Sequence, residues 1–224
     1  MIAKRIILLR HGESEANVDP EVYACVPDWQ IALTEHGVVQ AKESGQRIAG
    51  LIGNESFGVF SSPYVRTEQT KNAMLEGIGR EPTFDYQDPE LREQEYGNMP
   101  PAEENRANRE FRKQFGYFFY RFPNGESCAD VYDRMALFID SLYRRFDRPD
   151  CPKNIVIVSH GTAIICFLAR WYHWNVGVFD TLQRLPNCHV SLMTHTESDI
   201  QAQKPKYVLS EPFEIELHFA KEAL

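Results

Sequence analysis

Two histidines stand where an α/β protein places its chemistry. His11 follows Arg10 directly after the apolar run Ile6-Ile-Leu-Leu9, and His160 follows Ser159 directly after Ile155-Val-Ile-Val158. Short runs rich in β-branched residues that stop at polar residues and glycine read as buried strands, so both imidazoles lie at strand carboxyl ends. In mostly parallel sheets covered by helices, ligands bind outside those ends, and the topology predicts that the two side chains converge there. An imidazole with a free pKa of ~6.5 is already largely neutral near pH 7, the state in which it acts as a nucleophile or base. A guanidinium beside it meets two oxygens of an oxyanion at once and stays charged at any working pH. Taken singly, an Arg-His pair at a strand end is more often a surface loop, so the case depends on what else the chain carries.

It carries a good deal, in a fixed order. Leu9-Arg10-His11-Gly12-Glu13-Ser14 with Asn17, Leu33-Thr34-Glu35-His36-Gly37, Ser62-Pro63 with Arg66 and Thr70, Leu91-Arg92-Glu93 with Tyr96-Gly97, Gly125-Glu126-Ser127, and Ser159-His160-Gly161 together span most of the sequence. On these motifs the chain resembles the histidine phosphatase superfamily, the phosphoglycerate-mutase-like proteins. Arg-His-Gly alone is weak, whereas six ordered motifs are specific.

The resemblance implies roles. His11 matches the family nucleophile, which carries the phosphoryl group as phosphohistidine, and Glu93 matches the general acid that protonates the leaving oxygen and then activates water. Arg10 and Arg66 match the paired phosphate-binding arginines, with Asn17 and a protonated His160 as further donors to oxygens whose charge rises in the transition state. Tyr96, Arg109 and Thr162 are candidates for the rest of the substrate. No metal ligand set such as HxxEH or DxD is evident and the family implies none, so neither metal nor other cofactor is expected. Three functions follow: a metal-independent phosphatase of the histidine acid type, a phosphoglycerate-mutase-type phosphotransferase, or a silent binding module on the same fold. Only residues 94–124 separate Glu93 from Gly125, short for a mutase lid, and the second motif continues His160-Gly161-Thr162-Ala163 where the mutases carry His-Gly-Asn-Ser. Both departures favour hydrolysis, and no catalytic group is missing.

The positioning elements are legible. Thr34 precedes Val38, Ala41, Gly45, Ile48 and Ile52 at helical steps and reads as an N-cap, with Gly53 as the stop. Phe57 to Phe60 reads as a strand, after which Pro63 opens a helix running to about Gly77. Ser127 with Asp130 forms a capping box ahead of Val131, Met135, Phe138, Leu142 and Phe146. A helix from Gly161 to Trp171, a strand from Val190 to Thr194 and an edge strand through Phe213, Ile215, Leu217 and Phe219 complete the pattern. Residues 98–125 read as a helical and loop insertion whose Arg106, Arg109, Arg112 and Arg121 face either substrate or solvent; Tyr23, Cys25 and Trp29 lie in a loop expected to cross the strand ends. The expectation is an α/β, three-layer fold with a mostly parallel central sheet and helices on both faces, as one domain over 1–224, which suits 224 residues.

Composition bounds the partners. A formal charge of −8 disfavours nucleic acid or anionic membrane as a large partner, although it does not govern one cleft lined by arginine. A small phosphorylated substrate is therefore the expected partner. The opening apolar run is too short for a signal peptide and no stretch approaches a membrane span. Five scattered cysteines without close pairing suggest a reducing compartment, the cytoplasm.

Overall fold

The computed structural model describes residues 2–98, 100–182, 185–195 and 207–210. In chain order the strands are β1 (Arg5–Arg10), β2 (Phe57–Ser61), β3 (Asp85–Gln87), β4 (Asn154–Ser159), β5 (Val190–His195) and β6 (Tyr207–Ser210). The helices are α1 (Glu15–Val18), α2 (Glu35–Ile52), α3 (Val65–Ile78), α4 (Ala102–Phe115), α5 (Cys128–Phe146), α6 (Gly161–Tyr172) and α7 (Val176–Thr181), with short 3-10 turns at Pro20–Ala24, Asp28–Gln30 and Pro89–Leu91. The sheet order is β3-β2-β4-β1-β5-β6. β1, β2, β3 and β4 run parallel, and β5 and β6 add antiparallel to one side.

Strand alternation builds the layers. Ile6 and Leu8 of β1 and Ile155 and Ile157 of β4 pack with Val131, Met135, Phe138 and Leu142 of α5 and with α6. Ile7, Leu9, Val156 and Val158 point to the other face, onto Ala41, Ile48 and Ile52 of α2 and Ala73 and Met74 of α3. Successive strand side chains alternate faces, and strands buried on both sides need apolar residues at every position, hence the unbroken runs in the sequence. The helices on the second face approach closely because Gly45 and Gly77 lack side chains: a Cβ at Gly45 would lie 2.1 Å from the Met74 carbonyl oxygen.

The caps match their chemistry. Thr34 accepts from the Gly37 N–H at 3.0 Å to open α2, and Gly53 closes it with φ of 52°. Ser127 and Asp130 form the reciprocal capping box of α5. Pro63 does not open α3, however: Ser62 still bonds to the Val158 carbonyl of β4, Tyr64 is the N-cap and the helix begins at Val65. The proline is used in the turn between strand and helix. The irregular stretch 98–125 contains one 14-residue helix, α4. β3, α7 and β6 were not anticipated: the first two are very short, and β6 gains its pairing from β5. The strand expected over Phe213 to Phe219 lies outside the described residues. Among the described residues no helix is long and apolar enough to cross a membrane.

Candidate active site

Parallel register brings the two histidines together. Arg10 pairs with Ser159 as the last couple of β1 and β4, so the next residues, His11 and His160, leave the sheet side by side with ring centroids 5.2 Å apart and planes at 62°. Both are buried, His160 completely. His11 Nδ1 lies 2.7 Å from the Gly12 carbonyl oxygen. A carbonyl only accepts, so Nδ1 carries the proton and Nε2 keeps the lone pair. The backbone around it is held from several sides: the His11 N–H donates to Ser159 at 2.9 Å, the Gly12 N–H to Thr70 Oγ1 at 3.0 Å, and the Asn187 amide donates to the carbonyls of His11 (3.2 Å) and Gly12 (3.0 Å).

His160 shares a 2.8 Å hydrogen bond with Ser62 Oγ through Nε2, while its Nδ1 is buried without a partner among the described residues. Burial, and then the charges of Arg66, His11 and Arg10, hold its pKa well below the ordinary imidazole value. These surroundings favour the neutral imidazole over the protonated donor that the resemblance implies.

The arginines converge on the same place from different elements. Arg10, at the end of β1, donates through Nη1 to the Leu185 carbonyl, and Arg66, from the first turn of α3, donates to the Asp28 carbonyl at 2.6 Å and pairs with the Asp28 carboxylate at 2.9 Å. Asp28 and Ser62 carried no assigned role in the sequence; nothing in linear spacing marks a partner 38 positions from Arg66. Asn17 turns its amide oxygen to the Ser14 N–H (3.1 Å) and to Asn187 (2.9 Å), so its NH2 group is the end that can donate to a ligand.

Glu93 sits at the start of α6. Its carboxylate accepts from the backbone N–H groups of Gln94 at 2.9 Å, Ala163 at 3.3 Å and Thr162 at 3.4 Å, and Arg134 of α5 grips its carbonyl at 3.1 Å. The Thr162 and Ala163 N–H groups are donors without intrahelical partners at the N-terminus of α6 and fix the orientation of the side chain. The outer substrate candidates also assemble. Tyr96 Oη is 3.4 Å from Thr162 Oγ1, and the Arg109 guanidinium lies 5.3 Å over the Tyr96 ring. Burial, then Glu93, pushes the Tyr96 phenol up, so it stays protonated. Arg10, Glu93, Tyr96, Arg109 and Thr162 all line one cleft of about 540 Å3, beside Arg112 and Lys113. Arg106 and Arg121 are not among its lining residues. Tyr23 and Trp29, but not Cys25, line a second cavity on the other side of Tyr96.

Comparison with known proteins identifies similar sequences and folds. The profile of the histidine phosphatase superfamily (branch 1) matches residues 6–206. The phosphoglycerate mutase-like protein AT74H of Arabidopsis thaliana is 41% identical over 209 residues, covering 86% of this chain and 74% of that protein. The broad-range acid phosphatase DET1 of Saccharomyces cerevisiae is 26% identical, covering 86% of each. A mycobacterial glucosyl-3-phosphoglycerate phosphatase solved with VO3 shares the fold with a TM-score of 0.71 at 20% identity, over 93% of this chain and 98% of that one.

Proposed function

Since the chain belongs to the histidine phosphatase superfamily, we propose that it is a metal-independent phosphomonoesterase of the histidine acid type, working through a phosphohistidine on His11. The supporting observation is the 2.7 Å contact of His11 Nδ1 with the Gly12 carbonyl, which commits the proton to Nδ1 and the lone pair to Nε2. Nε2 attacks phosphorus, the P–O ester bond breaks, and Glu93 gives its proton to the departing alkoxide. Glu93, now a carboxylate, takes a proton from water as that water attacks the phosphohistidine, and the N–P bond breaks to release phosphate and restore His11. Arg10, Arg66, the NH2 of Asn17 and His160, which takes up a proton from solvent as the dianion binds, hold the oxygens on which charge accumulates. Tyr96 meets the alcohol portion, with Thr162 on its hydroxyl and Arg109 over its ring holding it in place.

The name of AT74H favours a second reading, in which the phosphoryl group returns to another hydroxyl as in a mutase. The departure at Thr162-Ala163 and the short span between Glu93 and Gly125 speak against it. All five cysteines are free, which supports a reducing, cytoplasmic setting. The test is a panel of phosphomonoesters with chelator present. Released phosphate and an acid-labile, base-stable phosphoenzyme that disappears in His11→Ala are expected. Absence of both, or a phosphoenzyme that survives the substitution, refutes the proposal. Transfer between hydroxyls faster than release favours the mutase.

A further inference from the structure

A second cavity, of about 270 Å3, lies one ring, Tyr64, away from His160, and its chemistry is opposite to that of the arginine-lined cleft. Its charged lining residues are two carboxylates, Asp28 and Glu95, and its walls are the rings of Tyr23, Trp29, Tyr64 and Tyr96; no Lys or Arg lines it among the described residues. Asp28 is balanced by Arg66 at 2.9 Å. Glu95 is not balanced so directly: its carboxylate accepts from the backbone N–H of Gly97 at 3.2 Å, and burial, then repulsion from Asp28, pushes its pKa up. A carboxylate held in that way gains from a cation placed in the cavity. Tyr64 adds a polar group to the same wall. It is only 7% exposed, it lines the cavity, and its hydroxyl has no hydrogen-bond partner among the described residues.

Aromatic faces carry negative potential and attract cations, quaternary ammonium groups above all. Four rings with a carboxylate beside them favour a compact organic cation; an anionic group is repelled by Glu95, and a neutral donor gains a hydrogen bond but no charge attraction. The cavity also lies beside the reaction site. The Tyr64 ring stands edge-on to the His160 imidazole with centroids 5.0 Å apart, and the Arg66 guanidinium lies 5.0 Å over the same ring. A ligand in the cavity is thus one ring away from the place assigned to phosphate.

We propose that the substrate is a phosphomonoester whose alcohol carries an ammonium group, with phosphate on Arg10, Arg66 and His160 and the cationic end in the cavity of Glu95, Tyr23, Trp29, Tyr64 and Tyr96. This rests on the phosphatase reading for its phosphate half; the cation half stands on the cavity itself. Phosphocholine and 3,3-dimethylbutyl phosphate have the same shape and differ by the charge, so the ratio of their kcat/KM values reads the cavity directly. A ratio of about ten or more is expected, the equivalent of about 1.4 kcal/mol, and Glu95→Gln, which keeps an acceptor for Gly97, should bring it close to one. Trp29→Leu, at a side chain exposed enough to tolerate change, should lower the ratio if Glu95→Gln does not fold. Choline alone should quench Trp29 fluorescence saturably in the parent and not in Glu95→Gln, with no phosphate chemistry involved. Hydrolysis of both esters at a ratio near one, without choline quenching, overturns the cation site and leaves the phosphatase standing. Choline quenching without hydrolysis of any ester overturns the phosphatase and leaves the cation site. A ratio indifferent to both substitutions overturns the assignment to this cavity.

Discussion

The loop that presents His11 is braced against α2 by two glycines, and one methyl group tests the brace. A Cβ at Gly37 would lie 2.0 Å from the Glu13 carbonyl oxygen, and one at Gly12 would lie 2.4 Å from the Gly37 carbonyl oxygen. Ordinary contact begins at 3.4 Å, so the Gly37 methyl intrudes by about 1.4 Å on backbone that cannot rotate away. Either the loop or the first turn of α2 moves. Overpacking costs about 1–3 kcal/mol and a rigid backbone contact belongs at the upper end. At about 2–4 °C per kcal/mol for a chain of this size, Gly37→Ala should lower Tm by about 6–12 °C. A displacement of the nucleophile by ~1 Å costs on the order of 100-fold in rate, so kcat should fall by about that factor. Gly50 supplies the control on the same helix: it is exposed, and a Cβ there meets nothing within 4 Å. Gly50→Ala should stabilise by roughly 0.5–1 kcal/mol through helix propensity and leave kcat unchanged. Thermal melts and initial rates on a chromogenic phosphomonoester read both variants. A Gly37→Ala protein with parental Tm and kcat refutes the brace.

Other consequences are equally open to measurement. His160 has a folded-state pKa below its unfolded value, so the unfolded chain binds a proton the native one does not as pH falls below ~6.5. Stability of the anion-free protein is therefore fully present above that pH and declines through the window beneath it. Sulfate, which does not titrate there, should bind with proton uptake approaching one, read by calorimetry in buffers of different ionisation heat; uptake unchanged in His160→Gln refutes the assignment. Arg134 is buried and joins the Glu126 carboxylate (3.1 Å) to the carbonyls of Glu93 (3.1 Å) and Glu90 (2.5 Å). Arg134→Met leaves the Glu126 carboxylate with only Arg92 and the Glu95 N–H, and should cost about 3 kcal/mol with a fall in kcat as the Glu93 loop loosens. A change in Tm under 2 °C would show, by the same scale, that the network carries little.

Much of the fold was readable because its signals are local. Thr34 and Ser127 cap helices with side chains that reach three residues ahead, and the runs at β1 and β4 are apolar at consecutive positions because both faces are covered. Where a long-range bond decides, the local signal misleads. Pro63 looks like a first helical residue, yet the bond from Ser62 to Val158 keeps the chain extended and delays α3 to Val65. β6 is a strand through its pairing with β5.

The site divides along the same line. The residue types were set by the sequence: an Arg-His pair and a second histidine at strand ends, an arginine in the first turn of a helix, a glutamate before a tyrosine, all in one order. Those depend only on side-chain chemistry and on strands ending where polarity begins. What each group can do was decided by tertiary structure, because protonation and charge depend on neighbours distant in the chain. The parallel register of β1 with β4 sets His11 against His160. The Gly12 carbonyl assigns the His11 proton, burial beside guanidinium groups lowers the His160 pKa, and Asp28, from a loop with no motif, pairs with Arg66 while facing Glu95 across an aromatic cavity.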